Sequence, residues 1–105
     1  MPEHAGGAKF VEDLCAGAIT PRFAFQPIVN LHSGHAAGFE ALARFPAPQC
    51  CSPEPWLRFA ARLGMRSRLE AALLRAALDA RETLPDNCFL DVNVGPSLLM
   101  SPHWH

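Results

Sequence analysis

The short connection between two strand-like segments constrains the fold of this chain more than any other feature. RFAFQPIVN, residues 22–30, is followed by the turn-forming stretch LHSGH and then by AAGFEALARF, residues 36–45. A parallel crossover needs a dozen or more residues, so a connection this short predicts an antiparallel hairpin. Pro27 has no N–H group for the strand ladder, which favours an edge position or a strand start for its segment.

Helical patterns on both sides of the hairpin predict how the sheet continues. We expect a short helix within residues 8–19, a second helix ended by Gly64, and a longer helix from an N-cap at Ser67 to about Thr83. CFLDVNV, residues 88–94, has the pattern of a third strand. Because a strand, a helical segment and another strand in succession form a βαβ unit, the second and third strands should be parallel.

Composition excludes several classes of protein. The 105 residues suffice for one small domain, half of them are hydrophobic, and the formal net charge of −1 gives no electrostatic case for nucleic-acid binding. No apolar run approaches the roughly 20 residues of a membrane span, and the first ten residues lack the pattern of a secretory signal. We therefore expect a cytoplasmic protein with no membrane and no nucleic-acid partner, in which residues 1–7 form a flexible tail.

Cysteines and histidines give only weak signals of a metal site. The four cysteines contain no C-x-x-C pair, and reduced thiols that pack as small hydrophobic side chains explain them better. His32 and His35 flank a Ser-Gly turn rather than a helical repeat, and His103 and His105 lie at the C-terminus. Neither pair predicts a metal site.

Polar side chains alternate along the three predicted strands. If the apolar faces of the strands pack on helices, one face of the sheet collects the polar side chains, namely Gln26, Glu40, Arg44, Asp91 and Asn93. The solvated face of a half-buried sheet is polar in many proteins, so the alternation by itself also fits a surface pair of Glu40 and Arg44 without a function.

Three motifs in register resemble the EAL domain, the bacterial cyclic-di-GMP phosphodiesterase family. FQPIVNLHSGHAAGFEALARFP, residues 25–46, resembles the opening of the domain, and residues 52–65 and 90–99 are similar to two later segments in the same order. The resemblance covers about residues 10–105. It implies an α/β fold, the N-terminal part of a TIM-like (β/α)8 barrel with an antiparallel first strand, incomplete with about three strands. Residues 8–105 would then be the N-terminal part of an EAL domain, truncated.

The same resemblance implies a metal and nucleotide site. The family uses two Mg²⁺ or Mn²⁺ ions to hydrolyse cyclic-di-GMP to pGpG. Glu40 and Asn93 match its metal ligands, while Gln26, Leu42 and Arg44 match residues that contact the ligand, Arg44 through a phosphate. The family's remaining ligands and catalytic residues have no counterpart here. We therefore expect no complete catalytic set, weak metal binding and no activity from this chain alone.

Departures from the family pattern are few. Ala61 and Gly95 stand where glutamate and serine are frequent in the family, away from the implied site. Asp91 stands where a small residue is usual, and it would add a carboxylate to the interior of the barrel.

Three interpretations of the chain remain open at this point. The first, which we favour because the sequence ends within a helical pattern, is a fragment or truncated form of a cyclic-di-GMP phosphodiesterase. The second is a degenerate half-domain that binds cyclic-di-GMP or another protein, with the open barrel edge covered by a second copy or a partner chain. The third is a small α+β protein without a nucleotide ligand.

Overall fold

The computed structural model of the protein describes residues 6–45, 52–93 and 95–102. Its elements in chain order are α1 (Gly7–Ala16), β1 (Arg22–Val29), β2 (Ala36–Arg44), α2 (Pro53–Arg62), α3 (Arg66–Ala80), a 3₁₀ turn (Arg81–Thr83), β3 (Phe89–Val92) and a short α4 (Pro96–Leu99). The predicted α/β class is confirmed. The predictions for Cys50, Cys51, His103 and His105, and most of the predicted tail, concern residues outside the described ranges.

The three strands form one mixed sheet in the order β1-β2-β3. β1 and β2 are antiparallel, and β2 and β3 are parallel, as the connection lengths predict. Asn30 closes the hairpin, because its side-chain oxygen accepts hydrogen bonds from the N–H groups of His32 and Ser33. Gly34 supplies the left-handed backbone conformation of this turn, with φ of 74°. Because the strand order is β1-β2-β3, β1 lies at an edge of the sheet, where Pro27 is tolerated.

Gly64 separates the two helices that follow the hairpin. Its φ is 71°, and the N–H groups of Gly64 and Met65 bond back to the carbonyls of Ala61 and Ala60, which is the Schellman pattern of a helix end. Met65 is the N-cap of α3, and its carbonyl accepts from the Leu69 N–H at 2.9 Å.

The predicted N-cap at Ser67 is therefore wrong. The Schellman turn leaves only Leu63, Gly64 and Met65 between the two helices, so α3 begins at Arg66 and Ser67 lies inside its first turn. The regular helix ends at Ala80, and the 3₁₀ turn that follows continues to the predicted end at Thr83.

The core lies between the helices and the end of β2. Phe10, Val11 and Leu14 of α1 pack with Trp56 and Ala60 of α2, Leu69 of α3, and Phe45, the residue after β2. The rings of Phe10 and Trp56 have centroids 4.6 Å apart, and Phe10 and Phe45 meet edge to face at 5.5 Å. Ala41 and Ala43 of β2 are buried as well. This packing turns the alternate residues of β2 away from the core.

None of the described helices is both long enough and apolar enough to cross a membrane.

Candidate functional site

One row of polar residues crosses all three strands. Gln26 of β1 is in register with Glu40 of β2, and Glu40 is in register with Asp91 of β3. Residues in register on neighbouring strands share a face of the sheet, so these three side chains start from the same side. We call the side that carries Gln26, Glu40, Leu42, Arg44, Asp91 and Asn93 the polar face.

Asn93 follows β3 directly and reaches the centre of this row. Its side-chain nitrogen Nδ2 donates a hydrogen bond of 3.4 Å to Oε2 of Glu40, a residue 53 positions away in the sequence. Glu40 is half-buried and Asn93 is exposed. The two residues that match metal ligands in the family resemblance therefore lie at hydrogen-bond distance from each other.

Arg44 lies at the end of β2, away from Glu40. Four residues along a strand span about 13 Å, which separates the backbone positions of Arg44 and Glu40. The Arg44 guanidinium donates a hydrogen bond of 2.9 Å to the neighbouring Ala43 carbonyl. Leu42 lies between Glu40 and Arg44 on the polar face and is half-buried. The polar face thus has an acidic centre, a short apolar strip and a basic end.

A buried carboxylate that the sequence analysis missed holds the segment after Asn93. Glu70 of α3 is 8% exposed, and its Oε2 accepts a hydrogen bond of 3.0 Å from the Gly95 N–H. Its other oxygen lies 3.8 Å from Nε of Arg66. The signal in the sequence was a carboxylate between Leu69 and Ala71, in the apolar half of an otherwise amphipathic helix.

This contact also involves Gly95, where serine is frequent in the family. A Cβ atom at this position would overlap with Oε2 of Glu70. A residue with a side chain at this position therefore requires the Glu70 carboxylate to shift.

The donor atoms of the polar face fit a hard divalent cation in part. Glu40 supplies a carboxylate and Asn93 an amide oxygen, which are the ligands that Mg²⁺ and Mn²⁺ prefer. Within residues 6–45, 52–93 and 95–102, no group of three or more His, Cys, Asp or Glu side chains is arranged to hold a metal. His32 and His35 are exposed in the hairpin turn. The polar face therefore brings together two side chains whose oxygen atoms suit such a cation, with Asp91 in register beside Glu40.

The chain is similar in sequence to known proteins over most of its length. The model of the EAL domain family matches residues 17–105, which is most of the chain. A curated relative, the probable cyclic di-GMP phosphodiesterase PdeI of Escherichia coli (strain K12), is 29% identical over 89 residues. That alignment covers 77% of this chain and 11% of the relative, so the chain spans about a tenth of the length of the protein it matches.

Proposed function

The chain belongs to the EAL domain family, and from this premise we propose that its polar face forms part of a site that binds cyclic-di-GMP for hydrolysis to pGpG. The observation that carries the proposal is the contact between Asn93 and Glu40 at 3.4 Å. One of these side chains comes from β2 and the other from the residue after β3, and they meet at the position where the family pattern requires metal ligands.

Each residue of the polar face has a role in this proposal. Bound Mg²⁺ or Mn²⁺ would supply activated water and charge neutralisation at the phosphate. Glu40 and Asn93 would hold the cation, and the Arg44 guanidinium would orient a phosphate through two parallel hydrogen bonds. Gln26, in register with Glu40, would contact the nucleotide, and Leu42 would form an apolar wall between the acidic and basic parts of the face.

We further propose that these 105 residues bind the metal weakly and do not turn the substrate over by themselves. Mg²⁺ requires six oxygens in near-octahedral geometry, and Glu40 and Asn93 supply two of them. The catalytic site would then need further protein ligands from outside this sequence. A cytoplasmic location and the absence of a nucleic-acid partner stay predictions from the sequence.

A second candidate function is binding without hydrolysis. It is favoured by the sheet edge at β3, which has only β2 as a neighbour among the described strands. Phe89 of this edge strand is 51% exposed. A second copy of the chain or a partner chain would cover such an edge by strand pairing. The two candidates differ in whether a completed assembly hydrolyses cyclic-di-GMP or only retains it.

Titration calorimetry with cyclic-di-GMP in the presence of Mg²⁺ tests the proposed site on the full chain. We expect binding that Glu40→Ala and Asn93→Ala each weaken at least tenfold and that EDTA weakens in the same way. Glu54→Ala is the matched control, because Glu54 is an exposed acid on α2, outside the polar face. Binding that survives both substitutions, or that is absent from the unsubstituted chain, would overturn the proposal.

A further inference from the structure

Arg22 is a basic residue of the sheet to which the family pattern assigns no role. It is the first residue of β1, and it is in register with Arg44, the last residue of β2. Both residues are exposed. Residues in register share a face, so two arginine side chains start side by side at one end of the polar face.

This arrangement is unfavourable for the sheet by itself. Like charges directly opposite each other on neighbouring strands are destabilising. Arg44 donates to the Ala43 carbonyl. In the part of the chain that the structure describes, no carboxylate forms an ion pair with Arg22 or with Arg44. The repulsion is therefore left without a compensating acid among these residues.

The pair lies where a ligand of this site has to pass. β1 runs antiparallel to β2 and β3. Its first residue therefore lies at the end of the sheet where the carboxyl ends of β2 and β3 lie. Barrels of this type place their ligands at the carboxyl ends of the parallel strands. Arg22 reaches this rim only because the first strand is reversed.

The spacing along the strands suits a ligand with two phosphates. Arg22 and Gln26 are four residues apart, as are Arg44 and Glu40, which corresponds to about 13 Å between the arginine row and the Glu40 row. The intervening pair, Ala24 and Leu42, carries no charge. One phosphate could thus approach Glu40 and Asn93 while the long arginine side chains reach the other.

We propose that Arg22 and Arg44 together form a two-guanidinium phosphate site, and that Arg22 is a further substrate-binding residue of this protein. The inference rests on the proposed function, which supplies a ligand with two phosphates. A phosphate between the two guanidinium groups accepts hydrogen bonds from both and removes their repulsion. The pair therefore destabilises the free protein slightly and increases its affinity for an anion.

The test combines calorimetry with thermal unfolding of the full chain. Arg22→Ala, Arg22→Lys, Arg44→Ala and the control Arg58→Ala are titrated with cyclic-di-GMP and, separately, with inorganic pyrophosphate. Arg58 lies on α2 and pairs with Glu54, so it is a cation outside the polar face. We expect Arg22→Ala to weaken nucleotide binding about tenfold, Arg22→Lys to be intermediate, and Arg58→Ala to bind normally.

Thermal unfolding separates a ligand-binding role from a structural one. Without ligand, Arg22→Ala should melt at the same temperature as the unsubstituted chain or higher, because it removes a like-charge contact. A clear fall in melting temperature, or normal nucleotide binding by Arg22→Ala, would overturn the inference and leave the proposed function standing. Arg22-dependent binding of pyrophosphate without any binding of cyclic-di-GMP would support the anion site and overturn the nucleotide function. Absence of binding to both probes would overturn both.

Discussion

Asn93 donates a hydrogen bond from its side-chain nitrogen to Oε2 of Glu40 at 3.4 Å, and this contact joins the end of β3 to the middle of β2. It depends on the parallel register that places Glu40 opposite Asp91, because Asn93 is two residues further along and returns to the same face. A shift by one residue would turn Asn93 to the other side of the sheet. The register of the βαβ unit therefore determines whether Glu40 and Asn93, the two proposed metal ligands, lie together on the polar face.

Removing the charge of Glu40 should lower the affinity for divalent cations with little effect on folding. Glu40→Gln keeps the size of the side chain and loses the carboxylate, and hard cations bind carboxylates more strongly than amides. Glu40 also lies opposite Asp91, so the substitution removes a like-charge contact in the sheet. We expect at least a tenfold loss of Mn²⁺ affinity, measured by electron paramagnetic resonance of free Mn²⁺.

Glu12→Gln is the control for this loss, because Glu12 is an exposed acid of α1, outside the polar face. Equal Mn²⁺ affinities for Glu40→Gln and the unsubstituted chain would contradict the proposal that Glu40 binds the metal.

Truncation of Trp56 should destabilise the fold severely. Its side chain is 2% exposed and contacts the rings of Phe10, Phe45 and Phe59, which come from α1, the end of β2 and α2. Large-to-small substitutions of this kind cost about 3–5 kcal/mol in the free energy of unfolding, a large part of the stability of a small domain. Urea denaturation followed by circular dichroism measures the loss.

Leu31→Ala provides the comparison for Trp56→Ala. Leu31 is 97% exposed in the hairpin turn, and its truncation should change the free energy of unfolding by less than about 0.5 kcal/mol. Similar losses for the two variants would show that Trp56 is not the anchor of the core.

The Cys15 thiol should react slowly and make stability fall at alkaline pH. Partial burial raises its pKa above the usual 9.0, an effect larger than the opposing influence of Arg68 and Arg75. A group with a raised pKa in the folded state stabilises the fold below its ordinary pKa, and this contribution is lost as the pH rises through the folded value. We therefore expect a decrease in stability above about pH 9 that Cys15→Ala reduces.

Iodoacetamide labelling with peptide mapping gives an independent measurement on Cys15. At pH 8.5 we expect slower alkylation of Cys15 in the folded chain than in urea, because the thiolate is the reactive form. Equal rates in the two conditions would contradict a raised pKa.

The hairpin and its parallel partner could be predicted because they follow from connection length and alternation along the chain. The polar face follows from the same alternation, and Glu40 and Asn93 are indeed adjacent. Ser67 was assigned the wrong position because the helix start depends on the Schellman turn at Gly64, which leaves Met65 as the cap.

The contacts of Arg22 and Glu70 were not predicted, because they depend on tertiary structure. The pairing of Arg22 with Arg44 depends on the strand register, including the irregularity between Ile28 and Val29. The role of Glu70 depends on the approach of a loop that is 25 positions away in the sequence. The local sequence identifies neither contact partner, although the position of Glu70 in the apolar half of α3 marks it as unusual.

A side chain at position 95 should destabilise the loop that follows Asn93. The Cβ atom of Gly95→Ala overlaps with Oε2 of Glu70, a buried carboxylate that accepts the Gly95 N–H at 3.0 Å, so the carboxylate has to shift and this hydrogen bond is weakened. Overpacking against a buried side chain costs about 1–3 kcal/mol in the free energy of unfolding, which urea denaturation would detect.

Glu70→Ala should cost a similar amount, because it leaves the Gly95 N–H without its acceptor. In the double variant Gly95→Ala/Glu70→Ala the overlap is absent. Its loss in the free energy of unfolding should therefore be smaller than the sum of the two single-variant losses, by at least about 0.5 kcal/mol. Additive losses would show that Glu70 and Gly95 act independently, and that the carboxylate does not hold this loop.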